Sequence, residues 1–271
     1  MSQSHTLRYA ANCSILFTEL PLLERPAAAK AAGFEAVEFW WPWPESPVPP
    51  DAEVDAFVRA VRDAGVSLVG LNFAAGDLAG PDLGLVSVPG RVREFRDNID
   101  ATVGIGEQLG CRAFNALYGV RVDGVSPYEQ DDLAVANLRL AAAAAGRIGG
   151  TVLVEPVSGP KPYPLRSAAD AVGVLDRVAS DSAGFLCDLY HLSVNGDDLD
   201  AVISAYADRV AHVQIADAPG RGEPGTGEID LDHYLGLLQS AGYGGWVSLE
   251  YKPSTGNTSE SLAWLRKGRS E

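Results

Sequence analysis

The chain has 271 residues, 46% of them hydrophobic, with mean hydropathy near zero and a formal net charge of -15. That is enough apolar material for one large core, and a surface of this sign argues against nucleic-acid and membrane partners. Cys13, Cys111 and Cys187 are odd in number, scattered and set in apolar runs, and neither a leader-like start nor a long uncharged apolar run occurs, so we expect reduced thiols and a cytoplasmic protein.

Short β-rich runs alternate with longer amphipathic ones, the pattern of βα units on a parallel sheet. The first strand is predicted over Arg8 to Ile15, followed by a helix that must hold Pro26 near its start. The second strand runs from Ala36 to Trp40, ahead of the proline-rich loop Pro42 to Pro50. Val54, Phe57, Val58 and Val61 then make a helical stripe that Gly65 stops. The third strand is Ser67 to Phe73, followed by a long loop from Gly76 to Gly90 and a stripe of Val92, Phe95, Ile99 and Val103. Arg112 to Leu117 is the fourth strand, and the Ala- and Leu-rich Leu133 to Gly146 is a helix by propensity. Thr151 to Glu155 is the fifth; Ser167 and Asp170 then form a capping box. Phe185 to Leu189 and Val210 to Ala216 are the sixth and seventh. Asp230 caps the helix before the eighth, Trp246 to Tyr251. Eight such units predict an α/β fold, a single (β/α)8 barrel domain over residues 1–271. An open doubly wound sheet more often uses five or six strands, and no GxGxxG follows the first strand.

In such a barrel the chemistry sits at the C-terminal ends of the strands. Reading those ends selects Glu155 on the fifth, Asp188 on the sixth, Gln214 with His212 and Asp217 on the seventh, and Glu250 on the eighth. Any one of these could be a helix cap or a surface ion pair. Four successive strands placing oxygen donors at one level would repel one another and lose hydration, and a divalent cation offsets both penalties. Hard oxygen donors favour Mg²⁺ or Mn²⁺ over zinc.

His191, three residues after Asp188, is a candidate substrate contact, and His212, two before Gln214 on the same strand face, either supports the ligands from behind or contacts substrate, whereas His5 and His233 are read as incidental. The loop APGRGEPGTGEID is either a surface linker or an ordered lip that brings Arg221 and Glu223 over the mouth. Arg221 is the leading cation for a substrate carboxylate because its planar fork suits a bidentate contact; Lys161 is a second candidate. Trp40, Trp41 and Trp43 could form a stacking platform, an apolar wall or a dimer contact.

The segments YAANCSILFTELPLLER, AAGFEAVEFWWPWP, NFAAGDLAG, VLVEPV, DLYHLSV, HVQIADAPGRGEPGTGEI and GGWVSLEYKPS resemble the hydroxypyruvate isomerase family, within the xylose-isomerase-like TIM barrel group. The resemblance spans nearly the whole chain. It implies one divalent cation held by Glu155, Asp188, Gln214 and Glu250, with the two glutamates also the proton-transfer pair. His191 and Arg221 match substrate-contacting positions of related sugar epimerases. Those epimerases have a histidine where Gln214 stands, which favours the hydroxypyruvate isomerase branch. Two departures border the mouth: Pro156, Val157 and Ser158 stand where the family usually has Pro, an apolar residue and Asn, and WWPWP stands where it commonly has Phe-Pro-Tyr.

The resemblance thus implies an isomerase that interconverts hydroxypyruvate and tartronate semialdehyde through an enediolate. A 2-oxo-tetronate isomerase or small-ketose 3-epimerase would use the same site. A metal-dependent hydrolase or endonuclease of the barrel group would need more histidines than the four present and a basic groove. The expected partner is a small oxo acid or sugar, and an apolar patch on the barrel exterior could support a homodimer.

Overall fold

A parallel pair of strands needs a crossover connection, and a right-handed helical crossover returns the chain to the same end of the sheet each time. The computed structural model, which describes residues 5–267, is built from such crossovers. The strands are β1 (Arg8–Asn12), β2 (Ala36–Phe39), β3 (Ser67–Asn72), β4 (Ala113–Asn115), β5 (Thr151–Val154), β6 (Ala183–Asp188), β7 (Val210–Ile215) and β8 (Trp246–Leu249). They pair in parallel in chain order, and β8 pairs back onto β1 with Arg8 opposite Trp246 and Ala11 opposite Leu249, which closes the barrel. The helices are α1 (Arg25–Ala31), α2 (Asp51–Ala64), α3 (Val92–Leu109), α4 (Pro127–Gly146), α5 (Ala168–Val178), α6 (Leu189–Asn195), α7 (Leu199–Tyr206) and α8 (Leu231–Ser240), with the short α9 (Thr258–Ser261) and α10 (Ala263–Lys267) at the end. The (β/α)8 architecture read from the sequence is the one observed.

Local chemistry accounts for most boundaries. Pro26 lies in the first turn of α1, Gly65 ends α2 in a left-handed conformation at φ 66°, and Ser167 and Asp170 close a reciprocal capping box on α5. Asp230 caps α8 by accepting the His233 backbone N–H. The strands end earlier than their β-rich runs suggest. β1 stops at Asn12 rather than Ile15 because the chain turns there, with the Ile15 and Leu16 amides donating back to the Asn12 carbonyl. β6 instead begins two residues before Phe185, and its last residue, Asp188, leads straight into α6.

The apolar core includes ring contacts that fix helices onto strands. Phe39 of β2 meets Phe57 of α2 edge-on at 5.1 Å, and Phe73 after β3 meets Phe95 of α3 at 5.5 Å. Burying each such ring contributes about 1.5–3 kcal/mol. Among the described residues no helix is long and apolar enough to cross a membrane.

The interior also carries polar side chains. Asn12 and Glu38 are in register across β1 and β2, while Asp188, Gln214 and Ser248 are in register across β6, β7 and β8. All five are buried. Glu38 has room because its neighbour on β3 is Gly70, where an added Cβ would collide with the Glu38 carboxylate.

Candidate active site

Glu155, Asp188, His191 and Glu250 each place a possible ligand atom within 4.8 Å of one another, and all four are buried. Each carboxylate is oriented by a different neighbour. Glu155 follows β5, and its Oε2 accepts from Asn115 Nδ2 at 2.7 Å. Asp188 caps α6 with Oδ1, which accepts the amides of Tyr190 and His191 at 2.8 and 3.1 Å. That leaves Oδ2 toward His191 Nε2, 3.8 Å away. Helix capping and site formation are therefore not alternatives at Asp188, because the two oxygens divide the tasks. Glu250, following β8, accepts Trp40 Nε1 at 2.5 Å and Asn12 Nδ2 at 3.1 Å on Oε1, and its Oε2 pairs with Arg221.

Gln214 stands opposite Asp188 in the sheet register, so its side chain enters the same interior. Its Nε2 donates to Glu38 Oε1, and its own Oε1 is buried with no protein partner. An unmatched buried amide oxygen costs about 1–3 kcal/mol, which bound cationic or donor groups can recover. Three carboxylates and this free amide oxygen make a hard, acidic donor set, the kind that suits Mg²⁺ or Mn²⁺. The residues present therefore fit a divalent cation.

The electrostatics agree. Burial, with the charges of Glu250 and Asp188 added, pushes the Glu155 carboxyl well above the usual carboxylate range. Burial likewise lifts Glu250 to about 7, against the downward pull of Arg221. Burial lowers His191 to about 4 despite the neighbouring Asp188 charge, which leaves the imidazole neutral. Arg221 is itself raised, since the surrounding carboxylates outweigh its burial. Such a cluster is costly without a counter-charge.

A second network lies one layer deeper. Glu38 accepts from His212 Nε2, Gln214 Nε2, Ser248 Oγ and Asn12 Nδ2. Burial alone would raise its proton affinity, but the His212 charge and the hydrogen bonds from His212, Gln214 and Ser248 hold it below the usual value. Asn12 donates to both Glu38 and Glu250, which joins the two layers. Sequence reading passed over Glu38, Asn12, Asn115 and Ser248. The available signal was a glutamate and two asparagines inside otherwise apolar strands.

The loop after β7 is an ordered lip. Asp217 accepts four backbone amides, those of Ala218, Gly225, Gly227 and Ile229, at 2.9–3.0 Å. Arg221, at φ 59°, sits in the left-handed region, and its guanidinium reaches Glu250 and lies 5.3 Å from the centre of the Tyr190 ring.

The remaining candidates make the following contacts. Glu223 turns away to accept the Ser254 amide and hydroxyl at 2.9 and 2.6 Å, so it braces the loop after β8. Lys161 donates to the carbonyls of Leu78 and Asp82 at 2.9 and 2.6 Å, tying the loop after β5 to the loop after β3. His212 is engaged by Glu38 and Ser248 beneath Gln214. Trp40 alone of the three tryptophans hydrogen-bonds the cluster. Trp41 donates to the Ser46 carbonyl, and Trp43 packs on Trp41 and Phe57.

A model of the Xylose isomerase-like TIM barrel family matches residues 26–268. The chain is 58% identical over 268 residues to a Streptomyces coelicolor protein provisionally named a hydroxypyruvate isomerase, covering 96% of each. It is 33% identical over 261 residues to the hydroxypyruvate isomerase of Escherichia coli strain K12, covering 96% of this chain and 98% of that one. A Brucella melitensis crystal structure described as an AP endonuclease of family 2 superposes with a TM-score of 0.88 at 35% identity, over 97% of this chain and 99% of that one.

Proposed function

The chain belongs to the xylose isomerase-like TIM barrel family, and from that premise we propose that it is a divalent-metal-dependent isomerase interconverting hydroxypyruvate and 2-hydroxy-3-oxopropanoate (tartronate semialdehyde). The observation that carries the reading is the buried set of Glu155, Asp188, Glu250 and the unpartnered Gln214 Oε1, with Arg221 at its edge. These four residues would hold Mg²⁺ or Mn²⁺. When bound, the cation supplies a positive charge that favours negative charge developing on two adjacent substrate oxygens.

The reaction removes a proton from C3 of hydroxypyruvate and delivers one to C2, while the carbonyl and hydroxyl exchange roles. Glu155 and Glu250 are suited to this because both have raised proton affinity, which brings a carboxyl toward the range where it gives and takes protons at neutral pH. Trp40 and Asn12 hold Oε1 of Glu250, and Asn115 holds Oε2 of Glu155, so each carboxylate is oriented before substrate arrives. Arg221 pairs with Glu250, and its remaining N–H groups are the cationic donors at the rim for the carboxylate of an oxo acid. An endonuclease activity, which the description of the Brucella relative would suggest, fits poorly with a net charge of -15 and a site built on carboxylates.

The test is a substrate panel: hydroxypyruvate, 2-oxo-tetronates and free ketoses, each with Mg²⁺ or Mn²⁺ and each with chelator. Metal-dependent turnover of hydroxypyruvate above the others is expected. Preference for a tetronate would keep the chemistry and change the substrate, and no turnover of any member would refute the isomerase reading.

A further inference from the structure

His191 lies in the ligand cluster, so a metal could in principle take its Nε2. Its other nitrogen decides otherwise. The backbone N–H of Ser158, on the loop after β5, donates to His191 Nδ1 at 3.0 Å, and Ser158 Oγ lies 2.7 Å from the same atom. A backbone N–H can only donate, so Nδ1 must carry the lone pair. An imidazolium has no lone pair, so this bond requires a neutral ring whose single proton is on Nε2. Rotating the ring by a half-turn would put carbons opposite both Ser158 groups and leave them without that acceptor.

The consequence falls on the other side of the ring. Nε2–H stands 3.8 Å from Asp188 Oδ2 and 3.9 Å from Glu155 Oε1, beyond hydrogen-bond range of both. It is a buried donor within 4 Å of two carboxylates of the cluster. A nitrogen that carries hydrogen cannot ligate a cation.

We infer that Ser158 is a positioning residue whose backbone N–H holds His191 as the neutral Nε2–H tautomer, so that the substrate-contacting position the resemblance implies for His191 presents a hydrogen-bond donor and no lone pair. The substrate role rests on the isomerase reading above; the tautomer does not. A neutral donor stabilises an oxygen that gains negative charge without adding a positive charge next to a bound cation. The backbone N–H, which any residue but proline supplies, does the locking.

The test is nitrogen-15 NMR of the histidines in the full-length protein, with His191→Asn identifying the His191 signals. Wild-type protein should show a pyridine-type Nδ1 and a pyrrole-type Nε2, with Nε2 keeping its hydrogen when Mg²⁺ is added. Ser158→Ala, which keeps the N–H, should preserve that pattern. Ser158→Pro, which removes it, should give mixed tautomers and a lower kcat at little changed Mn²⁺ affinity. In His191→Asn, Mn²⁺ affinity should stay within about twofold, since losing a group that supports the metal costs on the order of tenfold or more. A pyrrole-type Nδ1 in wild type, loss of the Nε2 hydrogen on metal binding, or a tenfold weaker Mn²⁺ site in His191→Asn would each overturn the assignment. If Ser158→Pro does not fold, the wild-type spectrum still decides. Failure of every substrate would count against the isomerase reading and leave the tautomer standing.

Discussion

The carboxylate of Glu38 accepts the amide N–H of Gln214, and that bond determines which end of the amide meets the acidic cluster. An amide has a donor end and an acceptor end of opposite polarity. With its nitrogen turned to Glu38, Gln214 leaves its oxygen free, buried and unpartnered. With the amide reversed, an N–H group would take the place of that oxygen, and the proposed cation site would lose a ligand.

Replacing Glu38 by Ala should therefore weaken Mn²⁺ binding by roughly 10- to 100-fold, the usual effect of removing a group that orients a ligand. It should also destabilise the fold by at least about 1–3 kcal/mol, because His212, Ser248 and Gln214 all lose a buried acceptor. Calorimetric metal titration and urea unfolding measure the two effects separately. Unchanged metal affinity in a folded variant would show that Gln214 does not need Glu38.

Glu155→Gln and Glu250→Gln each keep a carbonyl oxygen but remove the exchangeable carboxyl proton. Either should lower kcat by at least about 100-fold, the lower end for loss of a general acid or base. In the metal-free state the same variants should be more stable than wild type at alkaline pH, since one of several crowded negative charges has gone. Activity assays and thermal melts in chelator check both statements, and near-normal turnover would remove that glutamate from the proton-transfer pair.

Arg221→Ala should raise KM for an oxo-acid substrate by about 10-fold or more, as expected when a charged hydrogen-bond partner worth roughly 1.5–3 kcal/mol is removed. KM for a neutral sugar should move much less. Because Arg221 also pulls the Glu250 proton affinity down, the variant's acidic pH limb should shift upward. Equal losses on acid and neutral substrates would assign Arg221 to Glu250 and the lip alone.

The pH dependence of the metal-free protein follows from the same groups. Glu155 and Glu250 hold protons in the folded state at pH values where the unfolded chain, near 4.5, has released them. Folded protein thus binds more protons than unfolded, so stability falls as pH rises from about 4.5 through about 7. A cation replaces those protons. The gain in Tm on adding Mn²⁺ should therefore be larger at about pH 8 than at about pH 5, with proton release on binding. Thermal melts across that range test it, and a metal-induced gain that shrinks with rising pH would contradict the cluster's assignment.

Much of the fold was legible in one dimension because its signals are local. The alternation of β-rich and helical runs, the Ser167–Asp170 box, the Asp230 cap and the Gly65 stop each depend on residues a few positions apart. The strand-end acids Glu155, Asp188 and Glu250 were readable for a related reason: a barrel places strand C-termini at one rim, so position along each strand becomes position in space.

What only the tertiary structure decided was which of these groups touch one another. Asn12, Glu38, Gln214 and Ser248 come from β1, β2, β7 and β8, and they meet because the barrel closes β8 onto β1. Consecutive residues also separate: Trp40 reaches Glu250, while Trp41 joins the core and bonds Ser46, since neighbouring residues leaving a strand point to opposite sides. Glu223 and Lys161 read as candidates because charge in a loop near the mouth resembles function. Where a long side chain points depends on which loop lies beside it, and here those loops offered Ser254 and the carbonyls of Leu78 and Asp82. Composition and local periodicity determined the barrel and its acidic rim. Closure of the sheet and packing of its loops determined which oxygens were left free to bind a cation.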